Sequence, residues 1–187
     1  MDAFSYLSVL LSIIIGLGVT QLLTATGRLI RHRDRVRIDW LPILWALMML
    51  VVFVQAWWSM FGLRNVREWT FTSFLLVLAQ TCTLYMMAAV VLPEQVEGDH
   101  VDLPEHYDRQ HRWFFGFFIA TLVISITKDL VINGSWPSGM NLGFHIVMGA
   151  ICISAIAIRS RRYQEVVGVS GALFMAAYIG LLFMRLQ

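Results

Sequence analysis

The chain is poor in charge and nearly devoid of lysine. Only 14% of its 187 residues are charged, whereas a soluble domain averages about 25%. Lys128 is the single lysine among 14 basic residues. The sequence holds neither an HExxH nor a GxSxG signature, and its two cysteines, Cys82 and Cys152, are interpreted as small apolar residues. These scarcities argue against a soluble hydrolase, and we predict no catalytic residue, metal site or cofactor, although an intramembrane enzyme stays an open alternative.

The sequence is rich in long apolar stretches, and 58% of its residues are hydrophobic. A helix needs about 20 mostly apolar residues to cross the hydrocarbon core of a membrane. Stretches of about this length lie at residues 4–27, 40–62, 69–92, 113–132, 140–158 and 166–184. The pattern predicts an all-α membrane protein, a single domain over residues 1–187 with six transmembrane helices. No connection is long enough to fold separately, so any chemistry must occur between helices or in short loops.

The arginines predict the orientation of these helices. The connections after the first, third and fifth helices share most of them: Arg28, Arg31, Arg33, Arg35, Arg37, Arg109, Arg112, Arg159, Arg161 and Arg162. The other side has only Arg64, Arg67 and Arg185. Because basic loops stay in the cytoplasm, we expect both termini outside. The first loop, with Arg31, Arg33, Arg35 and Arg37, also has the charge to attract anionic lipid.

The longest connection, residues 93–112, is acidic and rich in histidine. We expect a solvated cytoplasmic loop, because its three histidines, His100, His106 and His111, match no metal-binding spacing. A metal or pH-sensing role is the alternative.

Two helices carry small residues at four-residue spacing, which places them on one face. The first helix has Ser12, Gly16 and Thr20 within such a stripe, and the sixth has Gly168, Ala172, Ala176 and Gly180. Small residues let helices approach closely in lipid. The stripes predict helix packing within or between protomers, and the hydroxyls of the first helix leave a wet path as the alternative.

Polar residues at membrane depth provide the candidate site. Lys128 and Asp129 end a polar face of the fourth helix, and an ionisable residue at such depth indicates function by default. At a similar predicted depth lie Gln55, Glu68, Asn141 and His145, with Gln21 and Gln80 deeper. Two alternatives stay open for Lys128: its ammonium reaches the membrane surface, or it faces a cavity. The whole cluster also fits an internal network that only locks helices together.

Phrases of the sequence resemble a family of short bacterial multi-pass inner-membrane proteins with no assigned activity. The similarity is carried by residues 6–18, YLSVLLSIIIGLG, and by residues 112–116, RWFFG. It implies a bacterial inner membrane and no particular reaction.

Taken together, these features predict a small, oligomeric membrane protein that passes or senses a small ion or solute. We expect a homo-oligomer, and we expect no nucleic-acid partner. The alternative is a scaffold or subunit that transports nothing and binds a partner through its small-residue stripes. A conduit predicts polar side chains converging on a cavity, whereas a scaffold predicts polar groups satisfied in pairs.

Overall fold

A computed structural model describes residues 3–66, 68–94 and 101–182 of the chain. Over these residues the fold is all-helical, and its six long helices are each long and apolar enough to cross a membrane. They are α1 Ala3–Arg31, α2 Trp40–Met60, α3 Phe71–Val91, α4 Leu103–Asn133, α5 Gly139–Ala157 and α6 Arg161–Leu182. Two 3-10 turns, Arg33–Arg35 and Phe61–Asn65, accompany them. The predicted helix class and number are therefore confirmed within the described residues.

The helix ends follow local capping chemistry. Asp39 accepts from the backbone N–H of Leu41 at the start of α2, and Thr70 and Ser73 form a reciprocal capping box at the start of α3. Such side chains satisfy backbone donors that a helix leaves free. Gly134 ends α4 with φ at 64°, a left-handed conformation that glycine adopts without strain.

The starts predicted from the sequence for two helices, α4 and α6, are wrong. Residues 103–112 are not part of a loop, because α4 begins at Leu103, where Asp102 caps it and Pro104 occupies the first turn. Hydropathy marks where a helix becomes apolar, not where its backbone begins, so the polar first turns of α4 were assigned to the connection. The sixth helix likewise starts earlier, at Arg161, and the predicted end at residue 184 lies outside the described residues.

The connections α1–α2, α3–α4 and α5–α6 meet at one end of the bundle. Two short parallel strands, β1 Val36–Arg37 and β2 Val101–Asp102, pair there. Arg37 donates to the carboxylate of Asp102 over 3.1 Å, and Arg28 donates to the backbone carbonyl of Glu94. The Glu105 backbone N–H, together with Arg37, lowers the pKa of Asp102. The α1–α2 and α3–α4 connections, two of the three that carry most of the arginines, are thus in direct contact.

Outward-facing surfaces of the bundle are apolar. Ile13, Leu17, Val51, Val54 and Ile153 are each at least half exposed. Soluble monomers rarely expose contiguous apolar surface on this scale. The exposure agrees with helices that face lipid.

Candidate functional site

The bundle has two unlike ends, and the end with the α1–α2, α3–α4 and α5–α6 connections is filled. We call it the closed end. Trp45 of α2 is 1% exposed, and its ring centroid lies 5.2 Å from those of Phe114 and Phe115 of α4. Gly168 and Gly171 of α6 also lie against Trp45, and neither has a side chain to hold the two helices apart. Bulky rings against glycine leave little free space there.

The buried carboxylate of Asp39 and the buried amide of Gln164 are paired at the closed end, whereas the Trp45 indole N–H and His111 Nε2 have no partner among the described residues. Asp39 is buried, and Arg161 of α6 donates to both its carboxylate oxygens over 2.5 and 2.6 Å. Tyr107 of α4 donates to Gln164 of α6 over 2.8 Å. The Gln164 amide donates in turn to the carbonyls of Ala155 and Ile158. These contacts join α6 to α2, α4 and α5.

The opposite end, which we call the cavity end, holds the α2–α3 and α4–α5 connections. A cavity of about 390 Å³ lies there between helices α2 to α6. Small-molecule sites in proteins typically enclose about 300–1,000 Å³. The polar side chains on its wall are Gln55, Ser59, Gln80, Thr81, Thr121, Ser125, Lys128, Asp129, Asn133, Asn141, His145 and Tyr178. The polar face of α4 thus turns toward a space between helices.

Lys128 turns inward across the bundle. Its ammonium donates to the Gln80 side-chain carbonyl of α3 over 3.0 Å. Side chains of a helix tilt toward its N-terminus, and Lys128 lies near the C-terminus of α4, so this tilt carries the ammonium away from the nearer helix end. In this structure the Lys128 side chain lines the cavity.

Asp129 also lines the cavity. Over the described residues its carboxylate accepts no hydrogen bond and forms no ion pair, even with the adjacent Lys128. Successive residues of a helix point about 100° apart, which keeps neighbouring side chains from facing each other. The two opposite charges therefore line one cavity without pairing with each other.

A chain of hydrogen bonds joins α4, α5 and α6 beside them. His145 Nδ1 lies 2.8 Å from the Asn141 backbone carbonyl, and because a carbonyl only accepts, Nδ1 carries the proton. In the neutral ring Nε2 then accepts from the Ser125 hydroxyl, 3.1 Å away. Tyr178 donates to the Asn141 side-chain oxygen over 3.1 Å. This arrangement fixes the imidazole at the cavity wall.

The floor of the cavity, toward the closed end, is made of hydroxyl and apolar groups. Thr121 of α4 donates to Thr83 of α3 over 2.8 Å. Apolar side chains from α2, α4, α5 and α6 complete the wall: Val52, Met60, Phe118, Met148, Phe174 and Met175. The cavity is therefore amphipathic, with its charges on α4 and apolar surface around them.

Six of the eight residues proposed from the sequence meet at the cavity: Gln55, Gln80, Lys128, Asp129, Asn141 and His145. Glu68 does not line it and is exposed in the segment before α3, and Gln21 of α1, half-buried, does not line it either. Sequence reasoning missed Tyr178, a lone polar group near the end of an apolar helix. A signal was present, because Tyr178 follows Gly171 and Phe174 at the spacing of one helix face.

The small-residue stripes have different surroundings. Gly168 of α6 packs against α2, where an added Cβ would lie 2.5 Å from Leu41 Cδ1. Ala172 is half-buried, whereas Ala176 and Gly180 are exposed. Ser12, Gly16 and Thr20 of α1 all face outward. Within one protomer α1 packs instead through Gly18, whose Cβ position is filled by the Phe53 ring of α2.

The histidines of the predicted loop lie on α4 where they are described. His106 contacts the Val90 carbonyl, and His111 contacts the Asp108 carbonyl. His111 is buried rather than solvated, because α4 begins earlier than predicted. His100 lies outside the described residues. Among the residues that the structure describes, no three His, Cys, Asp or Glu side chains group as metal ligands would.

Comparisons with known proteins give no relative from which a role can be carried over. No protein-family model, curated protein or solved structure matches the chain.

Proposed function

We propose that this chain is a multi-pass membrane protein that passes or senses a small ion or polar solute through the cavity. The supporting observation is that polar side chains of five helices converge on one space of about 390 Å³. Lys128 and Asp129 both line it and are not paired with each other. A network that only locked helices together would satisfy its charges in pairs, as the closed end does with Asp39 and Arg161.

The proposal includes an orientation. The closed end, with its arginine-bearing connections, lies on the cytoplasmic side of a bacterial inner membrane, and the cavity opens toward the outside. Cysteines introduced at Ser138, beside the cavity end, and Ser160, at the closed end, test this with an impermeant thiol reagent in intact cells. We expect labelling at Ser138→Cys alone. Labelling of Ser160→Cys alone would reverse the orientation.

Flux in reconstituted liposomes tests transport itself. We expect wild-type protein to pass a small ion or polar solute, and Lys128→Met and His145→Ala to change the rate or the selectivity. Thr127→Val is the matched control, because Thr127 is exposed on the same turn of α4 and its hydroxyl bonds its own helix at Val123. Absence of flux for common ions and polar solutes across a pH range contradicts transport.

A second function, scaffolding, is favoured by the outward stripe of α1. Ser12, Gly16 and Thr20 present small side chains to the surroundings of the protomer, where a second copy or another membrane helix can approach closely. Disulfide trapping with Thr20→Cys tests self-association. A cross-linked dimer supports a homo-oligomer, and a monomer in both trapping and light scattering contradicts it.

Anionic lipid is the remaining proposed partner. Arg31, Arg33, Arg35 and Arg37 are all exposed at the closed end, although Arg37 also pairs with Asp102. We expect co-purified anionic lipid to decrease when Arg31, Arg33 and Arg35 are changed together to glutamine. Unchanged lipid content contradicts this role.

A further inference from the structure

The two charges of the cavity have hydrogen-bonding capacity left over. The Lys128 ammonium carries three N–H donors, and Gln80 accepts one of them. The Asp129 carboxylate accepts none from the described residues. A charge away from bulk water is stable only when its hydrogen bonds are satisfied. Both groups therefore retain positions where a bound solute can be held.

The neutral polar groups around them are engaged with one another. Ser125, His145, Asn141 and Tyr178 form one chain of hydrogen bonds across three helices. These hydrogen bonds hold the side chains of the cavity wall in place. Lys128 and Asp129 should bind a solute most strongly, because hydrogen bonds to charged groups are stronger than those between neutral groups.

The remaining surface sets the shape of a matching ligand. Apolar side chains such as Met60, Phe174 and Met175 face the same space as the two charges. An inorganic anion or cation would pair with one charge, leave the other unpaired, and make no use of this surface. A ligand with both charges and a short apolar group uses all three features.

We propose that the cavity binds a small zwitterion with an aliphatic group, such as a free apolar amino acid. Its carboxylate pairs with Lys128, its ammonium pairs with Asp129, and its side chain packs on the apolar wall. The inference rests on the proposed function, because it names the solute class of that same cavity.

Binding to purified wild-type protein, measured by isothermal titration calorimetry, provides the test. Three probes share a 3-methylbutyl group: L-leucine has both charges, isoamylamine only the ammonium, and 4-methylpentanoate only the carboxylate. We expect leucine to bind at least about tenfold more tightly than either analogue, because each lacks one charge-assisted hydrogen bond. Equal binding of the three, or no binding of leucine, overturns the proposal.

Two variants assign the charges. Lys128→Met should lose the preference for leucine over isoamylamine, and Asp129→Asn should lose the preference for leucine over 4-methylpentanoate. Thr127→Val should keep both preferences, and if Lys128→Met and Asp129→Asn also keep both, the assignment is wrong. Flux of an inorganic ion without leucine binding would contradict the zwitterion proposal but not the proposed function. Absence of both flux and leucine binding would contradict the two proposals together.

Discussion

At the closed end the buried carboxylate of Asp39 is held by two hydrogen bonds from Arg161, whereas at the cavity end Asp129 lines open space beside a lysine that bonds elsewhere. Both ends contain an acid and a base between helices. Among the described residues, the acid and base are paired at the closed end, whereas at the cavity end they are unpaired and have room around them. The difference indicates that charge stabilises the fold at one end and is available to a solute at the other.

Breaking the pair at the closed end should have the largest effect. Arg161→Met leaves the buried Asp39 without its cation, and removing one partner of a buried pair costs about 3–5 kcal/mol. Because the Arg161 side chain is 38% exposed, we expect the lower limit, about 3 kcal/mol in the free energy of unfolding. Denaturant titration in mixed micelles measures it. Arg162→Met, an exposed neighbour, is the control, and equal losses in the two variants would remove the special role of Arg161.

Crowding the contact between α1 and α2 should have the next largest effect. A Cβ at Gly18 would lie 2.2 Å from Phe53 Cζ, whereas Gly16 has nothing within 4 Å. Overpacking costs about 1–3 kcal/mol, so we expect Gly18→Ala to lose about that much stability in the same titration. Gly16→Ala should lose no stability as a monomer, because alanine favours the helix more than glycine does. A similar loss in both variants would contradict the packing described for α1.

Removing the charge at the cavity end should change stability little. A lysine at membrane depth costs about 2.5–3.5 kcal/mol, and the hydrogen bond of a charged group contributes about 1.5–3 kcal/mol. For Lys128→Met these terms nearly cancel, so we expect a change of under about 1 kcal/mol in the free energy of unfolding. A loss as large as that of Arg161→Met would make Lys128 a structural residue and would end the contrast between the two ends.

The smallest effect should come from the exposed pair between the strands. The pKa of Asp102 is lowered by the Glu105 N–H and by Arg37, so its contribution to stability is present above the unfolded pKa and is lost as pH falls through the folded one. Asp102→Asn keeps an N-cap residue and removes the charge. We expect a slightly lower melting temperature at neutral pH and no difference in strong acid. A difference that is independent of pH would contradict this account.

Hydropathy was sufficient to predict the helices, because membrane thickness fixes how long an apolar stretch must be. It was insufficient at the start of α4, where Leu103–Arg112 is helical yet polar. The convergence of Lys128, Asp129, Asn141 and His145 followed from their similar predicted depth. The hydrogen-bond partners of these residues could not be predicted from depth. Bonds such as Lys128 to Gln80 and Asn141 to Tyr178 depend on how each helix is rotated about its own axis. Helix rotation is set by packing, as at Gly168 against Leu41, and periodicity alone leaves it open.

A solute can use the cavity only if water reaches the cavity end, and the tightly packed closed end should exclude water. Modification of single cysteines by a membrane-impermeant methanethiosulfonate tests it most directly, in a background where Cys82 and Cys152 are replaced. Ser125→Cys lies at the cavity wall, and Ala88→Cys is the matched site among the packed residues, since Ala88 is 1% exposed. The account predicts rapid modification of Ser125→Cys from the outer face and none at Ala88→Cys. No modification of Ser125→Cys from either face would contradict it.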